Sequence, residues 1–362
     1  MLCIFIDAWN PEYLKYMPFI DSIRKNSRHG YLEVPLGYTG IIASFMTGVW
    51  PDKHGIFDLF VPDLYYKKKI KSKWLLGAIR YLQGKRVFFT PPKAGQMGFF
   101  RTSIDKSWAQ KGCLNYKTIF DVLEENNQSF ELIDWPNHFK NRKGKIFFSK
   151  EWKKSYELAM KSKADFVFVH FLDLEIAHQT GIRGREIKKN AKIIDKAVEK
   201  LCNKHKNVLL FSDHGMDNIQ KEVNILKELK KLDLKYGRDF IYIVGSTSAE
   251  FWFKNKEAEK KVKEFLEWKD YGHIVEQKKF HLKTGSLIFL ANFRTGFYPN
   301  FFSNKKFKAM HGWDPKEQKT YYVLKNEKAR GKKDAKIVDF FPTIIDLMDL
   351  KFDGKIDGKS LV

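Results

Sequence analysis

The chain has 362 residues, enough for one large α/β domain with insertions or for two domains. Its 66 Lys and Arg against 43 Asp and Glu give a net charge of +23, which favours acidic partners: phosphorylated substrates, nucleic acid or an anionic membrane surface. Lysine is spread along the whole chain, so a compositional bias accounts for much of that excess. Three isolated cysteines, Cys3, Cys113 and Cys202, give neither a disulfide framework nor a CxxC metal site, and the expected setting is a reducing cytoplasm. The N-terminus turns acidic too early for a signal peptide, and no stretch reaches the ~20 apolar residues that span a bilayer. A soluble protein is expected.

In chain order, Leu2–Ile6 is a short apolar run ending at Asp7, the pattern of a buried parallel strand with a carboxylate at its C-terminal edge. Ligands bind at that edge in open α/β sheets. Pro11–Arg24 reads as a helix. The stretch Gly37–Ile56, GYTGIIASFMTGVWPDKHGI, organises the rest. A turn leads into a small, apolar helix, which Thr47-Gly48, Trp50-Pro51 and His54-Gly55 break. A hydroxyl at the start of such a helix, Thr39, is either an N-cap or a nucleophile placed where free N–H groups and the helix dipole favour a phosphate. His54 is expected to serve the local fold of the following turn.

Residues 61–104 differ in character. Tyr65-Tyr66, Trp74, Lys85-Arg86 and Phe88-Phe89 mark a basic, aromatic insertion over the site, with a short amphipathic helix at Trp74–Leu82. It reads as a platform for a lipid-linked or anionic substrate, or as a solvated cover packed by its aromatics. Helices are expected at Tyr116–Glu125, Trp152–Lys161 and Gly184–His205. Strands are expected at Phe130–Ile133, Asp165–Phe171 and Asn207–Phe211. The strand DFVFVHF runs into Asp173, Glu175 and His178; the next runs into Ser212-Asp213-His214-Gly215-Met216-Asp217. Strands alternating with helices imply a mainly parallel sheet, in which the ends carrying Asp7, Asp173 with His178, and Asp213 with His214 converge on one edge.

Ile241–Ile243, Ala249–Phe253 and Ser286–Leu290, with a helix at Asn255–Trp268, form a smaller α+β cap subdomain, residues 236–305. The catalytic core is then 1–235 with 306–362. Met310-His311-Gly312-Trp313-Asp314 follows the cap, and Ile337–Leu350 reads as a helix that docks on the core.

Carboxylates and imidazoles suit a divalent metal such as zinc, which takes both at about 2.0–2.2 Å. Two ions form a clamp for phosphoryl transfer. The supply fits Asp7, Asp213, His214 and Thr39 for one ion, and Asp173, His178 and His311 for the other. Zinc is the first expectation and manganese the second, since Asp/His sites accept both. His170 and the remaining histidines carry no assignment.

The segments IFIDAWNPEYL, TGVWPDKHGI, the loop from Asp173 to His178-Gln179-Thr180-Gly181, SDHGMD, HGWDP and the closing VDFFPTIIDLM…IDGKSL stand in an order that resembles the alkaline phosphatase superfamily, specifically its type I phosphodiesterase/nucleotide pyrophosphatase branch. The resemblance implies an alkaline-phosphatase-like α/β core and a two-metal hydrolase that cleaves phosphodiester or pyrophosphate bonds. Thr39 would be the nucleophile, passing through a phosphothreonine, and the N–H of Gly40 would help hold a phosphate oxygen. Members usually place the nucleophile nine residues before the Thr of the TG pair. Here that residue is Tyr38 and Thr39 is eight before; Thr39 is chosen because a phenol is too long. The family's acidic ligand usually stands four residues before its His, where this chain has Leu174. Asp173 is chosen, with Glu175 as the alternative. Nothing at 37–44 resembles a sulfatase nucleophile, and the insertion is too short for a phosphoglycerate mutase.

A phosphatase or phospho-group transferase acting on a lipid- or glycan-linked substrate is the second reading. A non-catalytic basic protein that binds a polyanion or touches a membrane surface is the third. Nucleic acid is not expected as a specific partner.

Overall fold

The computed structural model describes residues 1–37, 39–58, 60–62, 99–103, 112–135, 144–149, 151–301 and 306–362. The main elements are β1 (Leu2–Ile6), α1 (Pro18–Lys25), β2 (Arg28–Glu33), α2 (Thr39–Thr47), α3 (Ile119–Glu125), β3 (Phe130–Ile133), β4 (Lys145–Phe147), α4 (Trp152–Lys161) and β5 (Phe166–Phe171). They continue with α5 (Ala177–Thr180), α6 (Arg185–Lys204), β6 (Val208–Phe211), β7 (Phe240–Val244), β8 (Ser248–Phe253) and α7 (Lys256–Glu267). The last are β9 (Gly272–Ile274), β10 (Leu287–Ala291), β11 (Thr320–Lys325) and α8 (Phe340–Leu347).

The main sheet runs β2-β11-β6-β1-β5-β3-β4, with two short strands pairing onto β2 at its edge. From β6 to β4 every pairing is parallel; β11 is antiparallel to both its neighbours. This is the mixed, mostly parallel α/β sheet of an alkaline-phosphatase-type core. Its central strands are buried on both faces, so they read as continuous apolar runs. Along β5, Phe166 and Phe168 pack on the side of α2, α3 and α8, while Val167, Val169 and Phe171 face α1, α4 and α6. On α6, the buried residues Ile187, Ala191, Ile194, Val198 and Leu201 recur at three- and four-residue spacing, which gives the single apolar stripe a sheet-covering helix needs.

Local chemistry sets the boundaries. The helix expected over 11–24 is a 3-10 turn at Pro11–Tyr16 followed by α1, because Pro18 cannot continue the first segment's hydrogen bonds and starts a new helix instead. α3 begins three residues later than expected, at the reciprocal capping box of Thr118 and Asp121. α2 ends at Gly48, whose φ of 68° suits glycine. The Gly48 carbonyl accepts from the N–H groups of Asp357 and Gly358, and Trp50 N–H donates to Asp357, so the C-terminal tail locks the end of α2. β2 and β11 were not expected from the sequence. β11 is buried over Thr320–Leu324 and so shows no alternation, and β2 buries only Gly30 and Leu32 among half-buried and exposed residues.

A separate antiparallel sheet, β7-β8-β10-β9, is covered by α7 through Ala258, Val262 and Leu266. Most of the insertion expected over 61–104, including its helix at 74–82, lies outside the described residues. Among the described residues no helix is long and apolar enough to cross a membrane.

Candidate active site

The three strand ends singled out in the sequence are adjacent in the sheet, in the order β6-β1-β5. Asp7 follows β1, Asp213 and His214 follow β6, and a short helical turn follows β5. The parallel register pairs Ile6 with Phe171 and Phe5 with Phe211, so all three chains leave the sheet at one level. Asp7, Asp213, His214 and His311 are all buried.

His214 Nδ1 lies 3.0 Å from the carbonyl of Gly215. A carbonyl only accepts, so Nδ1 carries the proton and Nε2 presents a lone pair. That Nε2 is 3.3 Å from Asp7 Oδ1 and 3.5 Å from Asp213 Oδ2. His178 repeats the device. Its Nδ1–H donates to the Ala309 carbonyl at 2.9 Å, and its Nε2 stands 3.1 Å from Glu175 Oε2. Two histidines thus turn Nε2 toward carboxylate oxygens, the nitrogen that offers a lone pair to a cation when the imidazole is neutral. The His311 ring stacks on His214 with centroids 3.5 Å apart and planes 6° apart, and lies 5.3 Å from the His178 ring.

Among the described residues, two sets of side-chain atoms are close enough to share an ion: Glu175, His178 and His311, and Asp7, Glu175 and His214. Glu175 belongs to both and sits between them. Asp7 Oδ1 and Glu175 Oε1 are buried and accept no hydrogen bond among the described residues. Unsatisfied carboxylate oxygens facing imidazole nitrogens make a donor set that fits a divalent cation.

The electrostatics agree. Burial pushes the Asp213 carboxyl well above its ordinary range, and the nearby Asp7 and Glu175 add to the push. Burial works the same way on Asp7, but the His170 hydrogen bond and the neighbouring imidazoles outweigh it and hold Asp7 low. His311 is pushed well down by burial and by His214 and His178. For His178, burial lowers the pKa, yet its bond to Glu175 raises it on balance. Crowded carboxylates compete for what little positive charge is present, the situation a bound cation relieves.

Thr39 opens α2 and is half-buried. Its neighbours Gly37 and Ile41 line a narrow cleft together with Asp213, His214, His311 and Trp313. The helix start therefore borders the cluster. Tyr38, the alternative register, lies outside the described residues.

Two expected site residues stand elsewhere than expected. Among the described residues the carboxylate grouped with His178 and His311 is Glu175, the alternative; Asp173, the first choice, is not in that group. Glu175 and His178 are three residues apart on consecutive helical turns and share a face; Asp173, five before His178, does not. The N–H of Gly40 does not face the cleft but donates to the Phe57 carbonyl at 3.3 Å. Glycine is required there for packing, since a Cβ would come within 2.8 Å of the Ile56 carbonyl oxygen.

Sequence reasoning passed over two supports. His170 Nε2 bonds Asp7 Oδ2 at 3.0 Å. The signal was available, as a lone imidazole inside the apolar run FVFVHF. Gln318 accepts from Gly312 N–H at 2.8 Å and donates to the Met310 carbonyl at 3.1 Å, gripping the backbone on both sides of His311. Nothing in the sequence distinguishes Gln318 from a surface glutamine.

The sheet, and the metal-type cluster at the carboxyl ends of its strands, define an alkaline-phosphatase-type hydrolase. Residues 1–314 match the type I phosphodiesterase / nucleotide pyrophosphatase family, and the chain belongs to that family. It is a phosphoric ester hydrolase. Among curated protein sequences none matches. Among solved structures, human ectonucleotide pyrophosphatase / phosphodiesterase 5 is similar with a TM-score of 0.72 at 15% identity, over 99% of this chain and 97% of that one. The murine protein, as an inactive threonine-to-alanine variant in complex with AMP, is similar with a TM-score of 0.71 at 13% identity, over 99% and 97%.

Proposed function

We propose that the chain hydrolyses phosphodiester or pyrophosphate bonds in nucleotide-like substrates, with Thr39 as nucleophile and two divalent ions, zinc before manganese, held in the cluster. Asp7, Asp213, His214 and Thr39 would hold one ion; Glu175, His178 and His311 would hold the other. The observation that carries the reading is the pair of imidazoles whose Nδ1 protons are fixed by backbone carbonyls, so that both Nε2 atoms face carboxylate oxygens beside the start of α2.

Bound divalent ions lower the pKa of an attacking hydroxyl and neutralise charge on the phosphoryl oxygens. Thr39 Oγ1 gives up its proton and attacks phosphorus as the bond to the leaving oxygen breaks, which leaves a phosphothreonine still esterified to the retained part of the substrate and releases an alcohol or phosphate that takes up a proton. Water then cleaves the Oγ1–P bond and restores the hydroxyl. The first turn of α2 sets its positive dipole end toward the phosphoryl group. His214 and His178 keep their Nε2 lone pairs aimed inward throughout, because their Nδ1 protons are held by carbonyls. The murine relative described as inactive after a threonine-to-alanine change supports the threonine role.

The sheet β7-β8-β10-β9 is read as a cap on the cleft. Thr247, in the turn between β7 and β8, donates to the carbonyls of His311 at 3.2 Å and Gly312 at 2.9 Å and so ties that sheet to the site.

The test is turnover of a chromogenic phosphodiester and the matching monoester by wild type and Thr39→Ala, each with added Zn²⁺ or Mn²⁺. The reading expects diester preference, metal dependence and loss of turnover in Thr39→Ala. Full activity of Thr39→Ala sinks the nucleophile assignment.

A further inference from the structure

Every residue of β5 is buried, and five of its six side chains are apolar; the sixth is His170. Burying an imidazole costs free energy unless both nitrogens find partners. Both do when the ring carries both protons: Nδ1–H donates to the Asp134 carbonyl at 3.0 Å, and Nε2–H donates to Asp7 Oδ2 at 3.0 Å. The ring is also pinned in its plane, stacked on Phe5 with centroids 4.3 Å apart and planes 20° apart. Phe5 is its neighbour in the parallel register, two residues before Asp7.

The support extends further back. Asp134 stands at the end of β3 with a φ of 55°, a left-handed conformation that an Asp side chain can hold when it is fixed by local bonds. Its Oδ1 accepts from Ser149 N–H at 2.7 Å, and its Oδ2 accepts from the hydroxyls of Ser149 and Ser155. A chain of hydrogen bonds thus runs from the start of α4, through the Asp134 backbone and the His170 ring, to one oxygen of Asp7. The other oxygen, Oδ1, is left facing His214 Nε2.

We infer that His170 is a positioning residue. It holds Asp7 Oδ2 so that Oδ1 stays directed at the candidate metal cluster, and it acts on metal binding only through Asp7. The inference rests on the metal reading of the site given above. Its basis is orientation: a carboxylate with one oxygen anchored has lost the rotation that would otherwise have to be frozen when an ion binds.

The experiment measures Mn²⁺ and Zn²⁺ affinity by titration calorimetry on metal-stripped full-length protein. The variants are His170→Phe, which keeps a stacked ring and loses both bonds, and His170→Gln, whose amide can still donate to a carboxylate. Each is also combined with Asp7→Asn, and thermal unfolding of each metal-free protein is recorded beside it. The expected result is affinity weakened by about 10- to 100-fold in His170→Phe, as for other groups that orient a metal ligand. His170→Gln should lose less, and neither change should weaken binding further in the Asp7→Asn background. If His170→Phe fails to fold, the His170→Gln series decides alone.

Wild-type affinity in a folded His170→Phe, or the same loss persisting in Asp7→Asn, overturns the inference and leaves the metal site standing. A wild-type protein that binds neither ion overturns the metal reading and the inference with it.

Discussion

The two halves of the site are built differently. One half stands directly on strand ends: Asp7 after β1, Asp213 and His214 after β6. Its positions are set by the register of the parallel sheet and by the His170 anchor. The other half stands on turns. Glu175 and His178 sit on a 3-10 turn and a four-residue helix, and His311 sits on a loop gripped by Gln318 and Thr247. Strand ends inherit precision from the sheet, whereas the turn-mounted half needs its own hydrogen bonds to reach the same precision. Loss of a support should therefore be felt more locally in the second half, and loss of a ligand more severely in the first.

The largest expected effect is on Thr39, the nucleophile proposed to work beside the first half. Thr39→Ala should lower kcat by roughly 10⁴-fold or more while leaving most of the metal affinity in place, read by steady-state kinetics and calorimetry. Retained turnover would detach α2 from the chemistry. Next, Asp213→Asn should remove an ion from the strand-mounted half and cost on the order of 10³-fold in turnover, because metal stabilisation of the transition state amounts to several kcal/mol.

The comparison is most exposed at the turn. Glu175→Gln should cost on the order of 10²-fold in kcat/KM and weaken metal binding at the second half, whereas Asp173→Asn should stay within about tenfold of wild type, a typical cost for a residue outside the constellation. The reverse ranking would restore Asp173 as the ligand and mean that the turn reorganises when an ion binds.

A smaller effect is expected from Gln318→Ala, which strips both bonds flanking His311 and leaves buried backbone groups without partners. It should lower stability by about 1–3 kcal/mol, read by denaturant unfolding. Its activity loss should be smaller than that of Glu175→Gln.

The last effect concerns the support of α2 and is small near neutral pH. His54 is buried, accepts from Ile56 N–H through Nδ1 and donates from Nε2 to Ser44 Oγ. Burial pulls its pKa from 6.5 to about 3. The unfolded chain then takes up a proton that the folded chain refuses. Stability is full above 6.5 and falls as the pH is lowered toward 3, by about 1.4 kcal/mol one unit below 6.5. Unfolding of His54→Gln across that window should show a shallower dependence on pH than wild type.

The same contrast explains what was legible in the sequence. The strand-mounted half was, because an apolar run ending in Asp or Asp-His carries its own position: β1, β5 and β6 came out within a residue or two of their expected bounds, and the sheet brought their ends together. The turn-mounted half was legible only in part. Which carboxylate shares a face with His178 depends on whether the turn is 3-10, α or irregular, and local sequence does not fix that. His311 could be named from HGWDP, but its grip by Gln318 and Thr247 is made by residues 7 and 64 positions away. His170 was visible as an exception to the pattern of β5 but had no evident partner until β1 lay beside it. The N–H of Gly40 looked available from sequence because the return of the chain at Ile56 and Phe57, which occupies it, is a tertiary event.

The measurement that bears most directly on the account is the number of divalent ions bound per chain, obtained by titrating metal-stripped protein with Zn²⁺ in wild type and Glu175→Gln. The account expects two ions in wild type and a weakened or lost second ion in Glu175→Gln, with the strand-mounted ion retained. No stoichiometric binding in wild type, or two undisturbed ions in Glu175→Gln, would contradict it.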